Sequence, residues 1–311
     1  MKSLIFGGSG YIGKQLVKEL INQRHCVINF DLKDMDDTTI TKSSRYSCYK
    51  YNIVTDPEFV HEAINERVPE IIYILSAISD IKRCIDDPEL AFNTNVMGLI
   101  TILEAVADLA DRESYKVEKN SFGKVQLPKV VFASSLYAAT GSHPYGMTKM
   151  VGERLIKWYA KRYGFPYLIL RFGTVYGVGA SKGNSIKDLI KKSLEKGAVT
   201  HYGTGEELRE YVHVRDVARA CVDLSVRSNV TTVISGLTTI DSKTLCGMLN
   251  EMLFPPASIV YFKNGKPEDH YEKTPYRYIK DEVLKYVPKE SVDFGAGLLE
   301  VIEEIKKEKE I

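Results

Sequence analysis

With 311 residues and 44% apolar composition, the chain is long enough to bury one large core, or a core with a dependent lobe. Its 42 Lys and Arg nearly cancel its 41 Asp and Glu. That balance excludes a global field able to hold nucleic acid or an anionic membrane, so an anionic ligand has to be caught by local groups.

Through the first half, short apolar runs alternate with segments of helical period, as in a parallel sheet whose strands are joined by crossover helices. The pattern predicts a doubly wound α/β fold. A first strand is expected at 3–6, followed by a helix with Ile12, Leu16, Val17, Leu20 and Ile21 on one face. The second strand spans 26–30 and ends at Asp31, and further strands are expected at 47–51, 71–75, 130–133 and 168–170. Helices are expected near 57–66, 91–110 and 150–163. The charged stretch 111–128 has neither hydrophobic period and reads as a solvated excursion. After Tyr176 the pattern becomes irregular. Asp241 is placed to cap a helix with Leu245, Met248, Leu249 and Met252 on its face, closed by Pro255 and Pro256, and a last helix is expected near 298–305.

Cys26, Cys48, Cys84, Cys221 and Cys246 stand far apart, with no C-x-x-C pair and no His partner at zinc-site spacing. They read as reduced thiols, mostly buried, and no metal is expected. A first strand starting at Ser3 leaves no room for a signal peptide, and no apolar run in the sequence reaches bilayer length. The expectation is a cytoplasmic protein without a membrane partner.

Gly7, Gly10 and Gly13 form G-x-x-G-x-x-G directly after the first strand and directly before an amphipathic helix. Glycine permits a tight turn and close approach of backbone N–H groups to a pyrophosphate, at a helix terminus that carries partial positive charge. Asp31 follows the second strand, where a carboxylate can accept from the adenosine ribose hydroxyls and would repel a 2′-phosphate. This favours NAD, although Lys33 nearby leaves NADP open.

Tyr145 and Lys149 form Y-x-x-x-K at a helix start, one turn apart on one face. An ammonium close to a phenol favours the phenolate, so Lys149 is expected to lower the Tyr145 pKa and let it exchange a proton with a substrate hydroxyl. Ser135, at the end of the strand over 130–133, is placed to hydrogen-bond the reacting oxygen.

With these residues in this order, the chain resembles the NAD-dependent epimerase/dehydratase group of extended short-chain dehydrogenases/reductases, from Met1 to about Ala220. The markers are GGSGYIG at 7–13, FDLK at 30–33, NTNVMG at 93–98, FASS at 132–135, PYGMTK at 144–149, LRFGTVYG at 170–177 and GTGEELREYVHVRDVA at 203–218. The resemblance implies a Rossmann core over residues 1–172, to which the chain returns near 210–235, and a mainly substrate-binding lobe over 173–311. It adds Tyr11 and Ile12 of the glycine turn to the cofactor set and puts Asn52 and Ile53 at the adenine. Leu75 and Ala77 would line the cofactor, Asn95 would be the structural asparagine behind it, and Lys149 would also hold the nicotinamide ribose. A homodimer pairing the helices around 95–110 and 149–163 is implied as well.

For the substrate, the resemblance implies a nucleotide-diphosphate sugar, with Arg209 on the diphosphate. A plain salt bridge of Arg209 with Glu206 or Glu210 is the alternative. Lys266 stands near a second phosphate-binding position, Ser79 and Asp80 face the sugar pocket, and Thr174 replaces a substrate-binding Asn. His143 is expected at the cleft mouth without a role. Ser135 is followed by Leu136 and Tyr137 in place of the Asp–Glu pair of 4,6-dehydratases, and the loop from Ser135 to Tyr145 is short for a sugar epimerase. The expected activity is nucleotide-sugar epimerisation by Tyr/Lys-assisted hydride transfer through a keto-sugar. A net reductase or dehydrogenase and a non-catalytic NAD-binding protein are the alternatives.

Overall fold

The computed structural model describes residues 1–112, 127–181, 183–255, 259–263 and 283–309. Six short, largely apolar runs form consecutive parallel strands: β1 (Lys2–Phe6), β2 (Cys26–Asp31), β3 (Tyr46–Lys50), β4 (Ile71–Ile74), β5 (Lys129–Ser135) and β6 (Tyr167–Phe172). The inner strands are apolar because helices cover both faces of the sheet, so side chains of both alternating sets are buried, whereas the edge strand β3 is only partly buried. Two late strands, β11 (Val230–Ile234) and β14 (Val283–Lys285), extend the sheet to the order β14-β11-β6-β5-β4-β1-β2-β3. Every pairing in this sheet is parallel.

The order reverses between β1 and β4, and a crevice at the carboxyl ends of the strands opens where connections diverge in this way. Helix α1 (Tyr11–Asn22) buries Leu16, Val17 and Leu20 on one face of the sheet. The other face is covered by α3 (Pro57–Arg67), α6 (Gly98–Asp111) and α7 (Pro144–Tyr163), which follow the short α2 (Thr38–Thr41), α4 (Ile81–Asp86) and α5 (Pro88–Phe92). The sequence pattern predicts helices near 91–110 and 150–163, with Tyr145 and Lys149 at a helix start. In the structure, α5 and α6 are joined by a π turn at Asn93–Met97, and α7 begins at Pro144, whose fixed φ suits the first helical turn.

The continuous stretch Pro88–Asp111 is long and apolar enough to cross a bilayer by length and composition, with 56% of its apolar window buried. This corrects the expectation that no apolar run reaches bilayer length. Leu99, Ile102, Leu103 and Val106 account for its hydropathy by packing against the sheet.

Beyond β6 a smaller third core gathers Ile186 and Ile190 of α8 (Ser185–Lys196), Leu245 and Leu249 of α10 (Ser242–Leu253), and Leu298, Val301 and Ile302 of α11 (Phe294–Lys309). The Asp241 cap is formed, with its carboxylate accepting from Thr244 N at 2.6 Å. Helix α9 (Val214–Asp223) lies on the β-sheet side, where Val217, Ala220 and Cys221 share a cluster with α1. Short strands β7 (Thr174–Tyr176) and β10 (Tyr211–His213) pair in parallel, and β9 (Leu208–Arg209) pairs with β12 (Ile240–Asp241). A further pair joins β8 (Thr200–Tyr202) to β13 (Tyr261–Lys263). The return to the main sheet is made by two strands, because β14 takes the edge position beside β11. Most of the 111–128 excursion falls outside the described residues.

Candidate active site

The crevice is built first by the turn that ends β1. Gly7 has φ +93°, a left-handed conformation natural only to glycine, and a Cβ there would lie 2.6 Å from Ser76 N. At Gly13 a Cβ would meet Gly7 O at 2.2 Å, so the absence of a side chain lets α1 seat against the turn. Gly10 is the N-cap of α1, with no side-chain cap and no acidic residue in the first turn. The amide groups of this helix start, including those of Tyr11 and Ile12, are therefore left for an anion to satisfy. Beside Gly7, the buried Oγ of Ser76 has no hydrogen-bond partner among the described residues. A bare helix terminus, a turn without side chains and an unspent hydroxyl together fit a dinucleotide diphosphate.

Asp31 closes over this turn, with Oδ2 accepting from Ser9 N at 2.9 Å and Oδ1 from Lys33 N at 3.1 Å. The strand also holds a residue that the sequence reading missed. Asn29 accepts from Gly8 N at 2.8 Å and donates to Ser9 Oγ at 2.9 Å. A lone amide in the apolar run Val27, Ile28, Phe30 was the available signal.

Other cofactor candidates are spread along the crevice. Asn52 makes a turn, its Oδ1 accepting from Val54 N at 2.9 Å. The Ile53 side chain is buried in the core, where a Cβ on Gly98 would touch it. Leu75 and Ala77 are half-buried after β4, with Leu75 N bonded to Phe6 O at 2.8 Å. Asn95 spends its amide on the protein: Oδ1 accepts from Ile78 N at 2.7 Å, while Nδ2 donates to Ile78 O at 3.0 Å and Thr148 Oγ1 at 3.1 Å. It pins the loop after β4 to α7, which is a positioning role.

At the end of β5, Ser135 lies beside Tyr145, whose anion its hydroxyl favours, and its Oγ accepts from Tyr137 N at 3.3 Å. Lys149, one turn along α7, is 4% exposed and donates from Nζ to Ala133 O at 2.8 Å. Its Nζ lies 5.8 Å from the centre of the Tyr145 ring. Ser135, Tyr145 and Lys149 are thus brought together, but the expected electrostatics are reversed. Burial pushes the Tyr145 phenol up to about 12, and the Ser135 hydroxyl offsets only part of this. Lys149 does not pull the phenol below its ordinary value because its own ammonium is desolvated, which drops it to about 8.

Around the three residues, His143 is buried and not at an open mouth. Its Nδ1 caps α7 by accepting from Gly146 N at 3.1 Å, and its ring lies nearly parallel to that of Tyr145, with centres 6.1 Å apart. Behind Lys149, Glu153 receives Ser134 Oγ at 2.6 Å and a two-pronged contact from Arg171, at 2.7 and 2.6 Å. Cys84 of α4 is fully buried near Tyr145 and Lys149, and burial pushes its thiol up to about 11. No periodicity or motif in the sequence singled it out.

The substrate candidates come from several elements. Thr174 is in register with Tyr211, two residues after Arg209, so β7 and β10 bring these segments side by side. Arg209 donates to Leu208 O at 3.1 Å. Ser79 is exposed after β4, and the neighbouring Asp80 caps α4 by accepting from Arg83 N at 2.9 Å. Lys266 lies outside the described residues. Among those described, no group of His, Cys, Asp and Glu is arranged to hold a metal.

A doubly wound sheet with a glycine turn at its switch point, and a Ser, Tyr and Lys gathered two strands away, defines a dinucleotide-dependent α/β enzyme. The family profile described as "NAD dependent epimerase/dehydratase family" matches residues 3–227. A protein of Methanocaldococcus jannaschii named putative UDP-glucose 4-epimerase is 31% identical over 70% of this chain and 71% of its own length. The dTDP-glucose 4,6-dehydratase 1 of Escherichia coli K12 is 26% identical over 71% of this chain and 67% of its own. In fold, the chain is similar to the UDP-glucose 4-epimerase of Thermotoga maritima solved with UDP-glucose, with a TM-score of 0.79 and 22% identity over 99% of this chain and 100% of that one. The UDP-glucuronic acid 4-epimerase of Bacillus cereus, solved with UDP-glucuronic acid and NAD, is similar at a TM-score of 0.79 and 22% identity, covering 99% of each chain. The chain belongs to the NAD-dependent epimerase/dehydratase family of enzymes.

Proposed function

We propose that the chain is an NAD-dependent nucleotide-sugar epimerase. The observation that carries this reading is the gathering of Ser135, Tyr145 and the buried Lys149 at the carboxyl end of β5, with Lys149 Nζ 5.8 Å from the centre of the Tyr145 ring. The turn at Gly7, Gly10 and Gly13, with Asp31 above it, would hold the dinucleotide diphosphate and ribose, and Lys149 the nicotinamide ribose. NAD supplies a reversible hydride acceptor whose charged ring favours the phenolate form of a neighbouring tyrosine.

The protein residues manage the proton. Tyr145 Oη exchanges it with a hydroxyl of the sugar ring, and Ser135 Oγ–H steadies the same oxygen. Ser135 favours the Tyr145 anion, which helps the phenol release its proton. Burial withholds water from the charged forms, which is why Tyr145 is raised and Lys149 lowered from their ordinary values. After Ser135 the chain turns through Leu136, which is buried and brings no carboxylate to eliminate water. This favours epimerisation over 4,6-dehydration.

Arg209, Thr174 and Ser79 are assigned to the nucleotide-diphosphate sugar, with Lys266 as a further phosphate-binding candidate. A homodimer through α6 and α7 is part of the same reading, supported by the outward Met97, Met147 and Trp158 on and beside these helices, Trp158 being 56% exposed. The test is incubation with a panel of UDP-, GDP-, CDP- and dTDP-sugars, followed by NMR and by absorbance of NADH. Isomerisation without net NADH supports the reading. Stoichiometric NADH change points to the reductase or dehydrogenase, and no reaction across the panel overturns catalysis on such sugars.

A further inference from the structure

We infer that Asn29 is a positioning residue for the dinucleotide turn, holding its backbone so that the amides at the start of α1 stay available to the diphosphate. This rests on the dinucleotide reading of that turn. Asn29 is fully buried in a strand whose neighbours Val27, Ile28 and Phe30 are apolar and buried. An amide at such a position is destabilising unless its polar atoms are paired, and here they are.

Its Oδ1 accepts from Gly8 N at 2.8 Å. Its Nδ2 faces three acceptors, Ser9 Oγ at 2.9 Å, Tyr46 Oη at 3.0 Å and Cys48 Sγ at 3.4 Å. Two hydrogens on Nδ2 are shared among them. A Cβ on Gly8 would lie 2.4 Å from Asn29 Oδ1, so the turn backbone rests directly on the amide.

Residues 29 and 31 of one strand share a face, and together they take up two consecutive amides of the turn, Gly8 N by Asn29 and Ser9 N by Asp31. Both N–H groups therefore point towards the sheet, and the anion is left to the helix start, where Gly10 provides no side-chain cap. An aliphatic side chain at position 29 would fill the space but leave Gly8 N–H buried and unpaired. The turn would then be free to reorient, and each diphosphate contact would weaken.

The full-length chain and its variants are titrated with NAD by calorimetry at pH 8 and pH 6, alongside denaturation midpoints. Asn29→Leu is expected to weaken NAD binding on the order of tenfold or more, while kcat at saturating NAD stays within about twofold of the parent chain. Val27→Ala, in the same strand but away from the turn, is expected to lower the denaturation midpoint and leave NAD affinity unchanged. Asn29→Asp keeps an oxygen for Gly8 N. It is expected to bind NAD weakly at pH 8, where its charge opposes the diphosphate, and to recover as acid protonates it into a mimic of the amide. Wild-type affinity lacks that recovery, and a purely structural asparagine would not produce it. If the parent chain binds NAD but both Asn29 variants bind within about twofold of it at pH 8, the inference is overturned. Should Asn29→Leu fail to fold, Asn29→Asp decides alone. No binding by the parent chain would instead overturn the dinucleotide reading.

Discussion

Replacing Lys149 by Met should make the NAD-free protein more stable while removing its activity. Lys149 is buried, and desolvation lowers it from 10.5 to about 8. At about 1.4 kcal/mol per unit, the folded state carries a penalty of about 3 kcal/mol for keeping the ammonium charged at pH 7. The hydrogen bond from Nζ to Ala133 O is lost in the variant, at about 1.5 kcal/mol. Methionine fills a similar volume without a charge, so a net gain on the order of 1–2 kcal/mol is expected at pH 7. Because the folded pKa lies below the unfolded one, the folded state gives up its proton first as pH rises. Wild-type stability therefore climbs between about pH 8 and 10.5, and the advantage of the variant closes over the same window. Urea denaturation followed by circular dichroism at pH 7 and near pH 10 measures both effects. A variant less stable than wild type at pH 7, or a difference that does not change with pH, would refute the reasoning.

Tyr145→Phe should lower kcat by about 100-fold to 10,000-fold in steady-state assays, with NAD affinity and far-ultraviolet dichroism preserved, because only the proton-exchanging hydroxyl is lost. Gly13→Ala forces a methyl to 2.2 Å from Gly7 O. It is expected to destabilise the chain by about 1–3 kcal/mol or more and to abolish NAD binding, which calorimetry and thermal denaturation can follow together. Glu153→Leu leaves the partly buried Arg171 guanidinium without its carboxylate, at about 3 kcal/mol of stability in urea denaturation. Replacing Arg171 by Met in the same chain should restore most of that loss, and no restoration would refute the pairing.

Much of the fold was legible in the sequence because each β-α repeat of the first half is a local pattern. The run after Met1, Gly7 to Gly13 and the helix face at Leu16, Val17 and Leu20 need no distant residue to be recognised. Helix α8 carries local signals of the same kind, an Asn184 cap and Ile186 and Ile190 one turn apart, although it was not among the expected helices. The π turn at Asn93–Met97 follows from packing against other elements, since Asn95 must reach both the Ile78 backbone and Thr148.

The sequence by itself determined the strand–turn–helix unit and the order of the Ser, Tyr and Lys, since both depend on spacing along one backbone. The tertiary structure alone decided the protonation balance at Tyr145 and Lys149, because desolvation depends on everything packed around a group, and here it raises the phenol and lowers the ammonium. It alone also turned Asn29 from one polar letter in an apolar strand into a support for Gly8 and Ser9, a contact made across 21 and 20 residues of chain.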